Sequence, residues 1–194
     1  MNTILKTETS ELIMHEINDE ICELIDQCVK MIDSELDIKP EIIVFGKVCH
    51  QNRSVGFYSD ISAGYNYSST ITPSKIMHPC LRDLLLFINN KFDYNYNGIL
   101  INKYSDGTDY IGKHSDDEKG LDAKVGVVCL SYGSVRKFRI RNKITGKIII
   151  DIPTEPNQII QMSGNFQKEF THEIPIEKKV KGTRYSFTFR KHNI

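Results

Sequence analysis

The chain has 194 residues, with 25 basic and 25 acidic side chains and a formal net charge of zero. That length suits one domain with a sizeable core, and the composition excludes collagenous, disordered and membrane-embedded classes, with no apolar run of bilayer length. The neutral total argues against a strong global nucleic-acid field, but it hides an asymmetry: residues 1–36 carry nine acids against two bases, and residues 124–194 carry fourteen bases against five acids. Such a basic C-terminal stretch can attract phosphate or can simply be a solvated strand surface.

Residues 1–14 read as a loose lead-in, without the basic start and apolar stretch of a secretory signal. Cys22, Cys28, Cys49, Cys80 and Cys129 are odd in number and contain no C-x-x-C pair. They predict reduced thiols in a cytoplasmic or nuclear, intracellular protein. From His15 to about Leu36, Ile17, Ile21, Leu24, Ile25, Val29 and Ile32 recur at helical spacing and predict an amphipathic helix with an acidic outer face. Residues 41–45 (EIIVF) read as a strand, and 46–75 as loops and short strands. A second helix is expected over about His78 to Phe92, burying Leu81, Leu84, Leu85 and Ile88.

Beyond it every segment reads as strand: 98–104, 110–113, 125–131, 137–141, 147–152, 158–162, 169–172 and 183–190. Turn signals such as Ser105-Asp106-Gly107 and Thr145-Gly146 separate them. Many short strands with tight turns predict an α+β, mainly β fold: a double-sheet jelly roll, or double-stranded β-helix, with helices buttressing one side. Such a barrel gathers a ligand cluster at its mouth.

The chemistry concentrates in His114-Ser115-Asp116, His172, and Arg184 with Arg190. Two imidazoles and a carboxylate make a facial triad for Fe(II), with three positions left for a bidentate keto acid and dioxygen. A catalytic zinc site could use the same three ligands. In TRYSFTFR, strand alternation puts Arg184, Thr188 and Arg190 on one face and Tyr185, Phe187 and Phe189 on the other. Two cations facing into a barrel require an anion, which a guanidinium fork pairs in bidentate fashion. That shifts the reading from zinc toward iron with a dicarboxylate. Two surface arginines remain the plain alternative. There is no G-x-S-x-G elbow, Walker A loop, HExxH helix or nicotinamide fingerprint.

At these residues the chain resembles the AlkB family of Fe(II)/2-oxoglutarate oxygenases. LINKYSDGTDYIGKHSDDE (100–118) is similar to the family's L-x-N-x-Y…H-x-D element, and TRYSFTFR to its closing R-x-N-x-x-x-R strand, with Ser186 where asparagine is usual. VFGK (44–47) and Tyr65-Asn66-Tyr67 resemble the DNA-repair branch found in animals. The resemblance covers roughly residues 40–192. It implies Fe(II), 2-oxoglutarate as cosubstrate and O2, with His114, Asp116 and His172 on the metal. It assigns Asn102, Tyr104, Arg184, Thr188 and Arg190 to 2-oxoglutarate, and Tyr65, Tyr67, Asp117 and Glu118 to the damaged base. Phe45, Gly46, Arg53, Arg141, Lys143 and Lys147 fall at DNA contacts, Phe45 as an intercalating finger. Phe45 has an equally strong plain reading as core.

The implied layout is one structural domain in three parts: lead-in and packing helix (1–40), nucleotide-recognition lid and supporting helix (41–97), and oxygenase core (98–194). The implied activity is oxidative demethylation of 1-methyladenine or 3-methylcytosine in DNA, by a monomer with nucleic acid and no membrane as partner. An RNA demethylase or protein hydroxylase would share the iron and cosubstrate residues, and a catalytically idle nucleic-acid-binding jelly roll is the rival from another class. Lys178-Lys179-Val180-Lys181 reads as a solvated turn rather than a nuclear signal.

Overall fold

The structure, a computed structural model, describes residues 1–44, 46–67, 70–156 and 158–193, and of Asp19, Glu20 and Tyr67 the backbone alone. The chain opens with strands β1 (Asn2–Lys6) and β2 (Ser10–Glu16), helix α1 (Asp19–Ile32) and a 3-10 turn at Asp33–Glu35. A hairpin of β3 (Glu41–Val44) and β4 (Lys47–His50) follows, then β5 (Ser54–Tyr58), β6 (Gly64–Tyr67), β7 (Thr70–Lys75) and α2 (Pro79–Phe92). Next come β8 (Gly98–Tyr104), β9 (Ile111–His114), β10 (Val127–Gly133), β11 (Lys137–Asn142) and β12 (Ile148–Pro153). The chain closes with β13 (Gln158–Gly164), the one-turn α3 (Phe166–Glu169), β14 (Phe170–Ile174) and β15 (Arg184–Arg190).

Two sheets face each other. The larger runs β1-β2-β13-β10-β15-β8-β5-β7-β6, and the smaller runs β12-β11-β14-β9. Period-2 alternation explains how the large sheet serves two cores at once. Ile99, Ile101, Val128, Leu130, Tyr185, Phe187 and Phe189 point outward onto Ile25, Cys28 and Ile32 of α1 and Leu81, Leu84 and Ile88 of α2. Alternate residues Tyr104, Val127, Ile160 and Met162 point inward onto Phe138, Ile140, Phe170 and Ile174 of the small sheet. The helices therefore buttress one side, as the jelly-roll reading expects. In α2, Pro79 sits in the first turn, where its missing N–H costs nothing. Asp93 ends that helix in the left-handed region with φ 53°, its N–H bonding Asn89 O.

The N-terminus differs from expectation. Residues 1–14 are not a lead-in: β2 pairs antiparallel with β13 from Ser10↔Gly164 to Glu16↔Gln158, and β1 pairs outside it. His15 and Glu16 thus complete a strand, and the helix begins at Asp19. The hairpin satisfies backbone groups that β13 would otherwise leave open, and it buries Leu12 completely. Within residues 46–75, β5 is a fully buried strand, antiparallel to β8 and parallel to β7. The segment drawn as a lid therefore contributes a core strand.

Just before β11, the buried Arg136 donates to the carbonyls of Asp106 (2.9 Å), Asp109 (2.9 Å) and Pro175 (2.7 Å). It fastens the 105–109 turn to the 175–181 turn. Gly107 lies between them, where an added Cβ would stand 1.9 Å from Glu177 O. Lys178, Lys179 and Lys181 are exposed there.

Candidate active site

β9 and β14 pair so that His114 and His172 stand directly opposite each other, ring centroids 4.3 Å apart. Asp116 follows two residues past the end of β9. Its carboxylate reaches back to within 3.8 Å of both imidazoles, Oδ1 to His114 Nε2 and Oδ2 to His172 Nε2. Among the described residues, these three form the group able to hold a metal, their ligand atoms lying within 4.8 Å of one another.

Local bonding prepares the donors. His114 Nδ1 donates to Gly112 O at 2.9 Å, leaving Nε2 with its lone pair. Burial lowers the pKa of both imidazoles, that of His172 to about 3, so both are neutral at physiological pH. Burial pushes the Asp116 carboxyl up, but the charge and hydrogen bond of the Arg190 guanidinium override this and hold it at about 2. Arg190 Nη2 donates to Asp116 Oδ1 at 2.5 Å, while Asp116 Oδ2 is buried without a hydrogen-bond partner. A buried anionic oxygen without a donor, beside two neutral imidazoles, is the donor set a divalent ion completes.

The inward face of β15 forms the rest of the cavity. Arg184 is almost wholly buried. Its Nε donates to Thr154 Oγ1 (3.1 Å), its Nη2 to Ser131 Oγ (2.9 Å), and its Nη1 has no partner among the described residues. Tyr104 lies under it, 5.3 Å from ring centroid to guanidinium. An uncompensated buried cation with a free donor is costly, and a carboxylate of a bound dicarboxylate would satisfy it. Asn102 Nδ2 donates to Ser186 Oγ at 3.5 Å, and Thr188 Oγ1 to Cys129 Sγ at 3.8 Å; both side chains line this cavity with Arg190.

Beside the triad, the Arg190 guanidinium lies 4.8 Å from the Tyr65 ring, and the Tyr65 hydroxyl donates to Glu118 Oε1. Burial raises both the Tyr65 and Glu118 pKa values. Glu118 Oε2 is buried without a partner among the described residues. Asp117 instead points outward and pairs with Lys143 at 2.6 Å.

The nucleic-acid residues are placed less uniformly. Arg53, expected on the DNA face, is buried in the cavity and donates to Asn102 Oδ1 at 2.7 Å. Arg141 pairs with Glu173 (2.8 Å), and Lys143 is taken by Asp117 and Gln167 O, so two of the three cations expected on DNA from the β11–β12 hairpin are spent internally. Lys147 is exposed. Gly46 turns the β3–β4 hairpin with φ 75° and open space around it. Phe45 lies outside the described residues, as does the Tyr67 side chain. Residues missed at the sequence level are Ser131 and Thr154 on Arg184, Cys129 in the cavity wall, and Gln167. Alternation in Val127–Ser131 could have placed Cys129 and Ser131 inward; Thr154, just beyond β12, carries no such signal.

The model of the 2OG-Fe(II) oxygenase superfamily matches residues 14–190, which take in every element of this cavity. The chain belongs to that superfamily. Like its other members, it is an enzyme built for Fe(II) and 2-oxoglutarate, a dioxygenase. Human DNA oxidative demethylase ALKBH2 is 29% identical over 180 residues, covering 89% of this chain and 68% of that protein. Human alpha-ketoglutarate-dependent dioxygenase alkB homolog 3 is 30% identical over 149 residues, covering 72% of this chain and 51% of that protein. A structure titled "The structure of OsALKBH1" superposes with a TM-score of 0.56 at 14% identity, covering 93% of this chain and 97% of the other; it supports the oxygenase fold alone. No helix among the described residues is long and apolar enough to cross a membrane.

Proposed function

We propose that this superfamily member removes N-methyl groups from alkylated bases in DNA, of the 1-methyladenine and 3-methylcytosine type. The observation that carries the reading is that Glu118, two residues beyond the metal ligand Asp116, pairs with Tyr65, whose ring is held against Arg190. It supports a base pocket rather than a peptide site, because these lesions are cationic and a buried carboxylate beside an aromatic ring complements them. A methylated base that cannot pair also costs less to flip out of a duplex.

The geometry supports the following roles. His114, Asp116 and His172 hold the ion, and Arg190 keeps Asp116 ionised. Arg184, steadied by Ser131 and Thr154, would hold the distal carboxylate of 2-oxoglutarate through its unpartnered Nη1, with Asn102 and Tyr104 alongside. Bound Fe(II), with 2-oxoglutarate and O2, supplies the oxidising power that turns N-methyl into N-hydroxymethyl, lost as formaldehyde with succinate and CO2 as coproducts. Glu118 and Tyr65 would orient the base toward the triad. Nucleic acid is reached through the Gly46 hairpin and Lys147; with Arg141 and Lys143 engaged internally, the hairpin offers little grip on an opposite strand.

The test compares methylated DNA, methylated RNA and N-methylated peptide as substrates for the purified protein, reading formaldehyde. Release from the methylated DNA is expected. Release from peptide alone would overturn the base-demethylase reading, and release from RNA alone would move it to the other polymer.

A further inference from the structure

The triad depends on a loop that the sheets do not hold. β9 and β14 pair at Ile111↔Ile174 and His114↔His172, and the ladder stops there, although the third ligand comes two residues later. Side chains take over where it ends. Ser115 Oγ donates to Phe170 O at 2.9 Å. The backbone N–H of Asp116 donates to Gln167 Oε1 at 2.9 Å, and Gln167 Nε2 donates to the buried Met162 Sδ at 3.5 Å. Lys143 bridges Asp117 and Gln167 O. Residues 115, 116 and 117 are thus each tied to segment 167–170, which leads directly into His172.

The ties are unequal. The Lys143–Asp117 pair is screened, its side chains 33% and 53% exposed, and pairs of that kind contribute little. The Gln167 bond is part-buried and acts on the backbone of a metal ligand, so its loss lets the ligand itself shift. We infer that Gln167 is a positioning residue for the metal: its amide oxygen replaces the missing ladder rung and fixes Asp116 relative to His172. The inference rests on His114, Asp116 and His172 being the metal ligands.

The test is Mn(II) binding to the metal-free chain, followed by calorimetry or by the resonance signal of free Mn(II). Gln167→Met keeps the volume and removes the acceptor; it is expected to weaken Mn(II) binding about tenfold, the lower end for residues that orient ligands. Gln167→Glu keeps an acceptor oxygen at the same reach and is expected to bind within about threefold of the parent, on the same reasoning. Unchanged binding in Gln167→Met would overturn the inference, as would equal weakening in both variants, because the acceptor oxygen would then be irrelevant. A parent chain that takes up no Mn(II), together with a His172→Ala variant that behaves identically, would overturn the metal site itself and the inference with it.

Discussion

Asp116→Ala is expected to abolish succinate formation and also to lower folding stability sharply, whereas Asp116→Asn abolishes succinate formation with a smaller stability loss. Both remove the anionic ligand, so both lose the metal. They differ in what they leave for Arg190, which is buried and donates to Asp116 Oδ1 at 2.5 Å. Alanine strands that guanidinium without its anion, and removing one partner of a buried ion pair costs about 3–5 kcal/mol. Asparagine keeps an acceptor oxygen in nearly the same place, so the hydrogen bond survives and only the charge is uncompensated. Thermal melts of the metal-free proteins separate the two effects: for a chain of this size, the alanine variant should melt roughly 6–20 °C lower. Turnover in Asp116→Asn would contradict the ligand assignment. Equal melting of the two variants would contradict the Asp116–Arg190 coupling.

Arg184→Gln is expected to raise the KM for 2-oxoglutarate about a hundredfold, with a smaller effect on kcat at saturation, since truncating a buried charge contact to a ligand costs roughly 2–5 kcal/mol. Glutamine reaches about as far as Nε, so it can still bond Thr154 but falls short of Ser131, the partner of Nη2 in the parent. It also loses the charge and the free Nη1 donor. The same substitution should leave the cosubstrate-free chain as stable as the parent or more so, because a buried cation with one unsatisfied donor is itself a cost. Saturation at the parental 2-oxoglutarate concentration would show that the anion binds elsewhere.

The parts of this account visible in the sequence are those written in local patterns. In β15 the strand period puts Arg184 and Arg190 on one face, while Asn102 and Tyr104 in β8 come from the family resemblance; both strands occupy the expected residues to within one position. The H-x-D turn and His172 carry their own chemistry. The N-terminal hairpin was not visible because its edge strand β1 is exposed or half-exposed throughout, with no polar–apolar alternation to reveal it. Its stability comes from β13, about 150 residues away. Arg53 was misplaced for a similar reason. An arginine reads as surface, yet Arg53 is buried with its Nε bonded to Asn102, a partner 49 residues on. The Lys143–Asp117 and Arg141–Glu173 pairs likewise consume charges that, counted along the chain, looked available for phosphate.

The most direct test of the central claim is the mass of a DNA oligonucleotide carrying one 3-methylcytosine, followed during incubation with the chain, Fe(II), 2-oxoglutarate and air. The account predicts loss of the mass of one CH2 per strand, one formaldehyde per methyl group removed, and no change when Fe(II) or 2-oxoglutarate is left out or when His172 is replaced by alanine. An unchanged oligonucleotide in the presence of a chain that binds both Fe(II) and 2-oxoglutarate, or equal methyl loss with the His172→Ala variant, would contradict it.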